Sequence, residues 1–445
     1  MYENLYFIKT SEDFTLGELY NLSINKNKIF SSLSLSKKDN SYVKNGIYTS
    51  QTIDLKPCKK FLVSWNCDTP IGTYIEVQSR AFICYYDENN IETYEWSDWL
   101  SFGKWGNHVK RISLSPDTDI AKINTDEFTI KGTDSDTTSK IQIRALLHTQ
   151  DENVTPSIRS FTVSYKANAP RIKSIDIPYN KIIEVPSYSQ YVREKNIGGV
   201  ICSPTSVTML LNRQGENLIV EETAWSCFDY NYNAFGNWLF NVGYASSLGY
   251  ESFVEYGNLK CLKREIYNDH PVAVSVKYTN DINNTNYPYI ENAPITTDGH
   301  ILVVCGFEKV NDTTYVVVND PAGKDNDSVL RRYKLEEFEN AWNRENNIMY
   351  VIHNKEVEIS KKRVNVNLEL VNSDLSNNLY SVLLDKTPID LSNSFAKTIL
   401  LTFDDGKTFE YITPYNDSYL YLDYKEKGKL YIVGSDGFTY YCDIN

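Results

Sequence analysis

Long apolar runs and paired cysteines are both missing from this chain of 445 residues. No stretch approaches the roughly 18 to 20 consecutive apolar residues that a membrane-spanning helix needs. The first residues also lack a basic segment followed by an apolar one, so no secretion signal is expected. Eight cysteines are scattered without a CxxC pair, a pattern typical of unpaired and mostly buried thiols. We therefore expect no membrane span and favour a cytoplasmic location over secretion.

Positive charge is scarce as well. Lys and Arg number 45 against 58 Asp and Glu, which gives a formal net charge of −13 and a pI near 5.0. Recognition of a polyanion needs clustered cations, so nucleic acid is not an expected partner. Hydrophobic residues (41%) and charged residues (23%) occur in the proportions of ordinary globular proteins, which argues against global disorder and a fibrous repeat.

Three segments with different patterns follow one another along the chain. In the first, apolar and polar residues alternate with a period of two, as in YIEVQSRAF (74–82), which predicts an antiparallel β-sandwich. This pattern ends at ANAP (167–170), and strand-like and helix-like pieces then alternate. Short strands with the turn signals DDG and SDG resume after residue 355. We expect a multidomain α+β protein with an N-terminal β-sandwich at 1–168, a central domain at 169–355 and a small C-terminal β domain at 356–445.

Cys202 lies in GGVICSPTSVTMLLNRQG (198–215), which predicts a loop that runs into a helix. Ser203 can cap this helix, Pro204 suits its first turn, and Gly215 ends it. Cys202 then stands at the helix N-terminus. There the helix dipole favours the thiolate, and an adjacent imidazolium lowers the thiol pKa further. This position predicts a nucleophile.

His300 opens the apolar run of TTDGHILVVCGF (296–307), which predicts a buried strand. The next strand, YVVVNDPAG (315–323), ends with Asn319 and Asp320, so antiparallel pairing can bring either of them beside His300. Asp320 would give a Cys/His/Asp triad, and Asn319 would give a Cys/His/Asn triad. We expect Asp320, because a carboxylate stabilises an imidazolium more than an amide does.

Two further sets of polar or aromatic residues are candidates for the site. VPSYSQ (185–190) ends at Gln190, whose side-chain amide suits an oxyanion hole shared with the Cys202 backbone N–H. Asn237 and Trp238 are candidate substrate-binding residues, with core packing as the alternative for Trp238.

The remaining histidines and tryptophans carry weaker signals. None of four histidines has a matching cysteine or carboxylate pattern, and the acidic clusters lack a full calcium-binding loop, so neither a metal nor a cofactor is expected. Four tryptophans allow sugar stacking as the alternative to core packing, which makes a cell-surface or glycan ligand a second partner to consider. The histidines are His108, His148, His270 and His353, and the tryptophans are Trp65, Trp96, Trp99 and Trp105.

Taken together, these motifs resemble the papain-like cysteine peptidases related to the double-glycine, bacteriocin-leader-processing peptidases. VPSYSQ, CSPTSVTMLL, GHILVVCGF and VVVNDPAG occur in the family's order, and SWNCDTPIGTYIEVQSRA resembles the β module that often precedes the peptidase in the bacterial branch without a transporter. The resemblance covers about residues 62–353. It implies a papain-like central domain with Cys202 as nucleophile and His300 as base. Asp320 would orient His300, and Gln190 would be the oxyanion donor.

The expected function is hydrolysis of a peptide or isopeptide bond in a peptide or protein substrate. The same Cys/His pair could pass its acyl group to an amine or act on a non-peptide amide, so an acyltransferase and an amidase are alternatives. A third alternative is a non-enzymatic protein whose β modules bind a cell-surface or glycan ligand.

Overall fold

The computed structural model describes residues 4–26, 30–87, 89, 91–167, 180–359, 361, 363–373, 378–403, 408–422 and 427–444. Strands greatly outnumber helices among these residues and form several separate sheets, which confirms a β-rich multidomain protein. The predicted domain boundary at 168/169 and the DDG turn at 404–406 lie outside the described residues.

In the first region, 14 described strands join in one antiparallel hydrogen-bonded network. In β9 every second residue is buried from position 73 to 83, the one-sided pattern that the alternating sequence predicts. The long strand β8 pairs with β15 near its start and with β16 over its second half. The elements are β1 (Leu5–Ile8), α1 (Ser11–Thr15), β2 (Glu18–Tyr20), β3 (Leu22–Lys26), β4 (Ser31–Leu35), β5 (Lys37–Lys38), β6 (Ser41–Tyr42), β7 (Asn45–Thr49), β8 (Ile53–Asp68), β9 (Thr73–Tyr86), β10 (Glu92–Trp96), β11 (Leu100–Trp105), β12 (Ile112–Ser113), β13 (Ala121–Asn124), β14 (Glu127–Ile130), β15 (Thr137–Thr149) and β16 (Ser157–Ala167).

The central region combines a seven-stranded antiparallel sheet with five helices. The main strand order is β18-β23-β19-β20-β21-β22, and β17 pairs with β20. Helix α2 packs against β19 and β20. The elements are β17 (Lys181–Ile182), α2 (Cys202–Arg213), α3 (Val220–Cys227), α4 (Trp238–Ser247), β18 (Tyr250–Tyr256), α5 (Leu259–Tyr267), β19 (Val272–Tyr278), β20 (Thr297–Val310), β21 (Thr313–Asn319), β22 (Leu330–Lys334), α6 (Leu335–Asn343) and β23 (Ile348–Lys355).

The last region contains two small sheets around a core of its own, which includes Val382, Leu420 and Ile432. One sheet has the order β24-β32-β31-β28-β29, and the other contains β25, β26, β27 and β30. The elements are β24 (Arg363–Asn365), β25 (Asn367–Ser373), β26 (Asn378–Leu384), β27 (Thr387–Pro388), β28 (Ala396–Thr402), β29 (Glu410–Tyr411), β30 (Tyr419–Leu422), β31 (Gly428–Gly434) and β32 (Thr439–Ile444).

The first and central regions share one continuous hydrophobic core. Buried polar contacts cross the same boundary: the Asn66 side-chain amide donates to the Ser252 carbonyl at 2.9 Å, and the Tyr256 hydroxyl donates to Glu127 at 2.6 Å. These partners are buried, so separating the two regions would expose apolar surface and leave polar groups unpaired.

The eight cysteines are free thiols, and six of them are buried. Cys84 is half-buried, because it lies near the end of β9 opposite the exposed strand β10. Cys202 is also half-buried. No helix in the described part of the chain is long and apolar enough to cross a bilayer.

Two of the four tryptophans considered for sugar stacking are core residues. Trp65 and Trp105 are no more than 2% exposed and pack near each other, with ring centroids 6.3 Å apart. Trp96 and Trp99 instead carry arginine guanidinium groups over their rings, at 4.5 Å for Arg80 on Trp96 and 3.9 Å for Arg144 on Trp99. A glycan ligand of the β regions stays a prediction.

Candidate active site

Cys202 is the first residue of α2 and follows a 3₁₀ turn at Gly198–Val200. The helix is held against the strand that carries His300, since the Ser206 hydroxyl donates to the Ile301 carbonyl at 3.2 Å. The first turn of a helix has backbone N–H groups without partners in the helix, and the N-terminal end of the dipole is positive. The fold therefore places the thiol where a negative charge is stabilised.

The start of α2 differs from the prediction in one detail. Ser203 is not the cap; the N-cap position is Ile201, and no side chain caps the helix there. The Ser203 hydroxyl is buried and lies 3.0 Å from the Tyr350 hydroxyl on β23. A buried hydroxyl needs a hydrogen-bond partner, and the neighbouring strand supplies one. The predicted helix end is present: Gly215 follows the helix with a φ of +97°, a conformation that favours glycine.

His300 lies between Cys202 and Asp320. The imidazole is buried, with its Nε2 2.7 Å from Asp320 Oδ1. His300 and Cys202 are near enough to shift each other's pKa, and because Nε2 contacts Asp320, the second ring nitrogen, Nδ1, is the one available to the thiol. Three side chains from a helix, a strand and a strand end thus form one continuous chain of contacts.

The charges and hydrogen bonds around Cys202, His300 and Asp320 favour a thiolate beside an imidazolium. Burial disfavours the Cys202 thiolate, but the charge and hydrogen bond of His300, with backbone N–H groups of Ile301 and Ser203, bring the thiol pKa below its usual value. Burial also opposes charge on His300, yet Asp320 and Cys202 raise its pKa to about 10. The two shifts have opposite directions, so an ion pair is favoured over a neutral thiol and imidazole.

Asp320 is fully buried and surrounded by hydrogen-bond donors. The hydroxyls of Tyr278 and Tyr333 donate to its Oδ2 at 2.8 and 2.7 Å, and the Ala322 backbone N–H donates to Oδ1 at 2.9 Å. Burial opposes ionisation of Asp320, but His300, Tyr333 and Ala322 bring its pKa below the usual range. The carboxylate is therefore kept charged and held in one orientation.

Sequence reasoning missed the two tyrosines on this carboxylate. Tyr278 is the last residue of β19, and Tyr333 lies on β22. In the sheet these two strands flank β20, which carries His300, and β21, which ends next to Asp320, so the tyrosines reach Asp320 from the two sides. Tyr278 also meets the His300 ring edge-on, with centroids 5.9 Å apart. The chain has 34 tyrosines, and no local pattern distinguishes these two from the rest.

Asn319, the alternative third member, contacts a different part of the site. Its side-chain amide donates to the carbonyls of Val185 and Pro186 at 3.1 and 3.0 Å. These residues begin the segment that ends at Gln190. Adjacent residues in an extended strand point to opposite sides, so Asn319 holds this segment while Asp320 contacts His300.

Gln190 is buried beside the loop that leads to Cys202. Its Nε2 donates to the Gly198 carbonyl at 2.9 Å, and its backbone N–H donates to the Pro321 carbonyl at 2.9 Å. A primary amide has two N–H donors, and the contact to Gly198 uses one of them. The backbone contact joins Gln190 to Pro321, the residue that follows Asp320. The end of β21 is therefore connected to the segment that carries Gln190.

Asn237 and Trp238 begin α4. The Asn237 side chain accepts from the Phe240 N–H at 3.1 Å and donates to Asp229 at 2.9 Å, so it is a buried helix cap. The Trp238 ring is half-buried and packs against the shared core, while its backbone N–H donates to Asp126. These are structural contacts, and substrate binding by either residue stays a prediction.

The segments next to Cys202 and His300 each contain a glycine that borders open space. A Cβ placed on Gly199 or Gly299, which lie close in sequence to Cys202 and His300, would meet no atom within 4 Å. Tyr191 and Val200 are 45% and 60% exposed. Gly199 and Gly299 thus border open space, and two exposed apolar side chains lie in the segment ahead of Cys202.

Two family models match the chain. Residues 182–349 match the Peptidase C39 like family, and residues 11–165 match the Peptidase C39 N-terminal domain. The two ranges follow each other in the order expected from the resemblance. No curated protein matches the chain in sequence.

Similar solved structures are distant. They include TmCBM61 in complex with beta-1,4-galactotriose, at 10% identity and a TM-score of 0.19 over 35% of this chain and 91% of that chain. The CBM22-1-GH10 modules of Clostridium thermocellum xylanase 10B give 12% identity and a TM-score of 0.18 over 42% and 31%. The active domain of bacteriophage CBA120 tailspike protein 4 gives 14% and 0.17 over 37% and 19%. The chain thus spans less than a third of the last two structures.

The family models confirm the resemblance that the motifs predicted. Cys202, His300, Asp320 and Gln190 all fall within the range matched by the peptidase model. The β-rich first region falls within the range matched by the N-terminal model. Residues 182–349 are thus similar to the Peptidase C39 like family, and the residues ahead of them are similar to the Peptidase C39 N-terminal domain.

Proposed function

We propose that the protein is a papain-like cysteine peptidase that hydrolyses a peptide or isopeptide bond, with Cys202 as nucleophile and His300 as base. The observation that carries the proposal is the chain of contacts from the Cys202 thiol through His300 to the buried Asp320 carboxylate. A helix N-terminus, an imidazole and a carboxylate in this order are what a thiol nucleophile needs for activation. The match of residues 182–349 to the peptidase family model supports the same reading.

In the proposed reaction, Cys202 Sγ attacks the carbonyl carbon of the scissile amide. The imidazolium of His300 then gives its proton to the leaving nitrogen, the C–N bond breaks, and a thioester joins the acyl group to Cys202. His300, now neutral, takes a proton from water as the water oxygen attacks the thioester. The C–S bond breaks, the acid leaves, and the thiolate–imidazolium pair is restored.

Asp320 is proposed as the group that orients His300 and stabilises its charge. Its contact to Nε2 leaves Nδ1 directed at the thiol, and its negative charge is stronger support for an imidazolium than a neutral amide would be. Tyr278 and Tyr333 act as positioning residues, because they hold the other carboxylate oxygen and do not contact Cys202 in the proposed scheme.

Gln190 is proposed as the side-chain donor of the oxyanion hole, with the Cys202 backbone N–H as the second donor. Its support is burial beside the loop before Cys202 and the amide hydrogen that the Gly198 contact leaves over. Loss of one such donor costs about 10² to 10³ in turnover in enzymes of this type. Gln190→Ala should lower turnover by this order, while Gln190→Glu, which has no N–H, should not restore it.

The proposal includes three domains, at 1–168, 169–355 and 356–445. Separate sheets before residue 168, between 181 and 355, and after 363 support this division. The substrate is proposed to be a peptide or protein segment, because the exposed Tyr191 and Val200 border open backbone near the thiol. A cytoplasmic location and a glycan ligand of the β domains stay predictions.

The test compares cysteines within the full chain. A thiol-reactive probe should label Cys202 fastest, and Cys202→Ala should lose both this labelling and peptide hydrolysis. Cys84→Ala is the matched control, because Cys84 is the other half-buried thiol. Products from a peptide library should carry free carboxyl groups with and without an added amine; amide products would identify an acyltransferase. Equal hydrolysis by wild type and Cys202→Ala would overturn the proposal.

A further inference from the structure

A second cluster of histidine and carboxylate side chains lies outside the Cys202 site. Glu265 is on α5, His270 lies in the turn between α5 and β19, and His353 is on β23. One nitrogen or oxygen from each lies within 4.8 Å of the other two. Glu265 and His353 are buried and His270 is half-buried, so the three groups come from separate segments to one enclosed point.

The spacing of these atoms fits a small metal ion. His270 Nδ1 and His353 Nε2 lie 3.4 and 2.9 Å from the same oxygen of Glu265, Oε2. A tetrahedral ion with bonds of about 2.0–2.1 Å separates its ligand atoms by about 3.3 Å. One distance already has this value, and the other needs to lengthen by a few tenths of an ångström.

In His353 and Glu265, the polar atom that faces away from the cluster already has a hydrogen-bond partner. His353 Nδ1 lies 2.8 Å from Glu251, and the Arg264 Nε–H donates to the other oxygen of Glu265 at 2.8 Å. A histidine that binds a metal generally gives its remaining ring N–H to a carboxylate, which fixes the ring and makes it a stronger ligand. Glu251 stands in this position for His353.

The ring of His270 provides the observation that favours a ligand over a simple ion pair. Its Nδ1 is buried and lies 3.4 Å from Glu265 Oε2, an ion-pair distance at which no well-formed hydrogen bond is made. The ring packs against His353 with centroids 4.5 Å apart, and the His270 backbone N–H donates to the Glu265 carbonyl at 2.9 Å. The nitrogen thus faces the cluster, and its contact with Glu265 is longer than an ordinary hydrogen bond.

We propose that Glu265, His270 and His353 bind a divalent transition-metal ion of the zinc class. Two imidazoles and one carboxylate are ligands that zinc accepts, and three protein ligands leave a fourth position for water. The ion would join the α5–β19 turn to β23. The contact of Glu251 with Lys9 at 3.0 Å extends its surroundings to the N-terminal region. The metal is a structural element in this proposal and takes no part in thiol chemistry.

The experiment measures zinc binding by the full chain in a Cys202→Ala background, so that the thiolate cannot bind the metal. Protein freed of metal by a chelator is titrated with Zn²⁺ by calorimetry, and retained zinc is measured by mass spectrometry. We expect one zinc per chain and a higher melting temperature when it binds. His270→Ala should weaken binding at least tenfold, and Glu251→Gln should weaken it by about 10- to 100-fold.

His148→Ala is the control, because His148 contacts Asn45 on the N-terminal sheet and should bind zinc like the parent. If His270→Ala is unfolded, His270→Asn replaces it, since this variant removes the imidazole but keeps a polar side chain. The proposal is wrong if the parent binds no zinc, or if folded His270→Ala or His270→Asn binds it as tightly as the parent.

Discussion

The molecule contains two buried histidines that lie against carboxylates, and they differ in what their second ring nitrogen contacts. His300 has Asp320 on Nε2 and the Cys202 thiol as its other partner. His353 has Glu251 on Nδ1 and Glu265 on Nε2. A carboxylate on each nitrogen leaves no ring position for a reacting group. Burial beside a carboxylate is therefore common to both histidines, and the partner of the second ring nitrogen is what distinguishes the proposed catalytic base from His353.

The pKa shifts of the two histidines are similar even though their proposed roles differ. Burial opposes charge on each ring, but nearby partners prevail, so the pKa of His300 is raised to about 10 and that of His353 to about 9. The thiols on the two helices differ more than the histidines do. The pKa of the Cys202 thiol is lowered, whereas burial raises the pKa of Cys261 on α5 to about 12. A reactive thiol requires the helix N-terminus as well as the imidazole.

The largest expected effect comes from removing either member of the Cys202–His300 pair. Cys202→Ala and His300→Ala should each lower turnover by about 10³-fold or more, and the double variant should lose little beyond either single change, because the two groups act as one unit. Peptide hydrolysis by the four proteins in a double-mutant cycle measures this. His353→Ala, measured alongside, should retain far more turnover than His300→Ala.

Additive losses in this cycle would contradict the proposed unit. If His353→Ala lost as much turnover as His300→Ala at a temperature where both are folded, the distinction between the two histidines would be wrong.

The next effect removes the charge that supports His300. Asp320→Asn keeps the size of the side chain but should lower turnover by about 10²-fold or more, since the base loses its stabilising carboxylate. The ion pair exists above the lowered pKa of Cys202 and below the raised pKa of His300. Without the Asp320 charge the His300 pKa falls, so the alkaline limit of reactivity should move to lower pH.

The rate of Cys202 alkylation as a function of pH measures this shift directly, because peptide-level mass spectrometry separates Cys202 from the other thiols. Asn319→Ala is the matched control: it should cost about 1–2 kcal/mol of stability through its lost backbone contacts but leave the alkaline limit in place. A wild-type pH profile for Asp320→Asn would contradict the role of Asp320.

The sequence predicted what depends on local order along the chain. Cys202 at the start of a helix followed from apolar spacing and Pro204, and the adjacency of β20 and β21 followed from two apolar runs with a turn between them. The opposite directions of Asn319 and Asp320 followed from the period of a strand. Each of these required only neighbours in sequence.

Contacts between distant segments could not be predicted in the same way. Ser203 was read as a cap because its type suits one, but Tyr350, far away in sequence, takes its hydroxyl. Asn237 was a candidate for substrate binding, and its role as the cap of α4 was not predicted. His353 has no distinguishing carboxylate pattern in the sequence, and the fold brings Glu251 and Glu265 to it from β18 and α5.

A smaller effect should follow from loosening Asp320 without removing its charge. Tyr333→Phe removes one donor from Asp320 Oδ2 and leaves Tyr278 in place. One hydrogen bond to a charged group contributes about 1.5–3 kcal/mol, but only part of this reaches His300. We expect about a tenfold loss of turnover, and a lower alkaline limit than in wild type. Unchanged turnover in a Tyr278→Phe/Tyr333→Phe double variant would show that the tyrosines do not position Asp320.

The smallest expected effect on turnover comes from replacing His353. His353→Gln, studied with a chelator present, removes the ring between Glu251 and Glu265. Lys9 and Arg264 still neutralise these carboxylates, so the loss should be about 1–3 kcal/mol of stability instead of the larger cost of an unpaired buried charge. The melting temperature of the central region should fall by several degrees. Turnover measured well below that temperature should fall less than about threefold, because His353 stabilises the fold and makes no contact in the proposed transition state. Calorimetry and peptide hydrolysis on the same preparation measure both quantities. A loss of turnover in the folded variant comparable to that of Asp320→Asn would mean that the two clusters are coupled and that His353 supports the reaction.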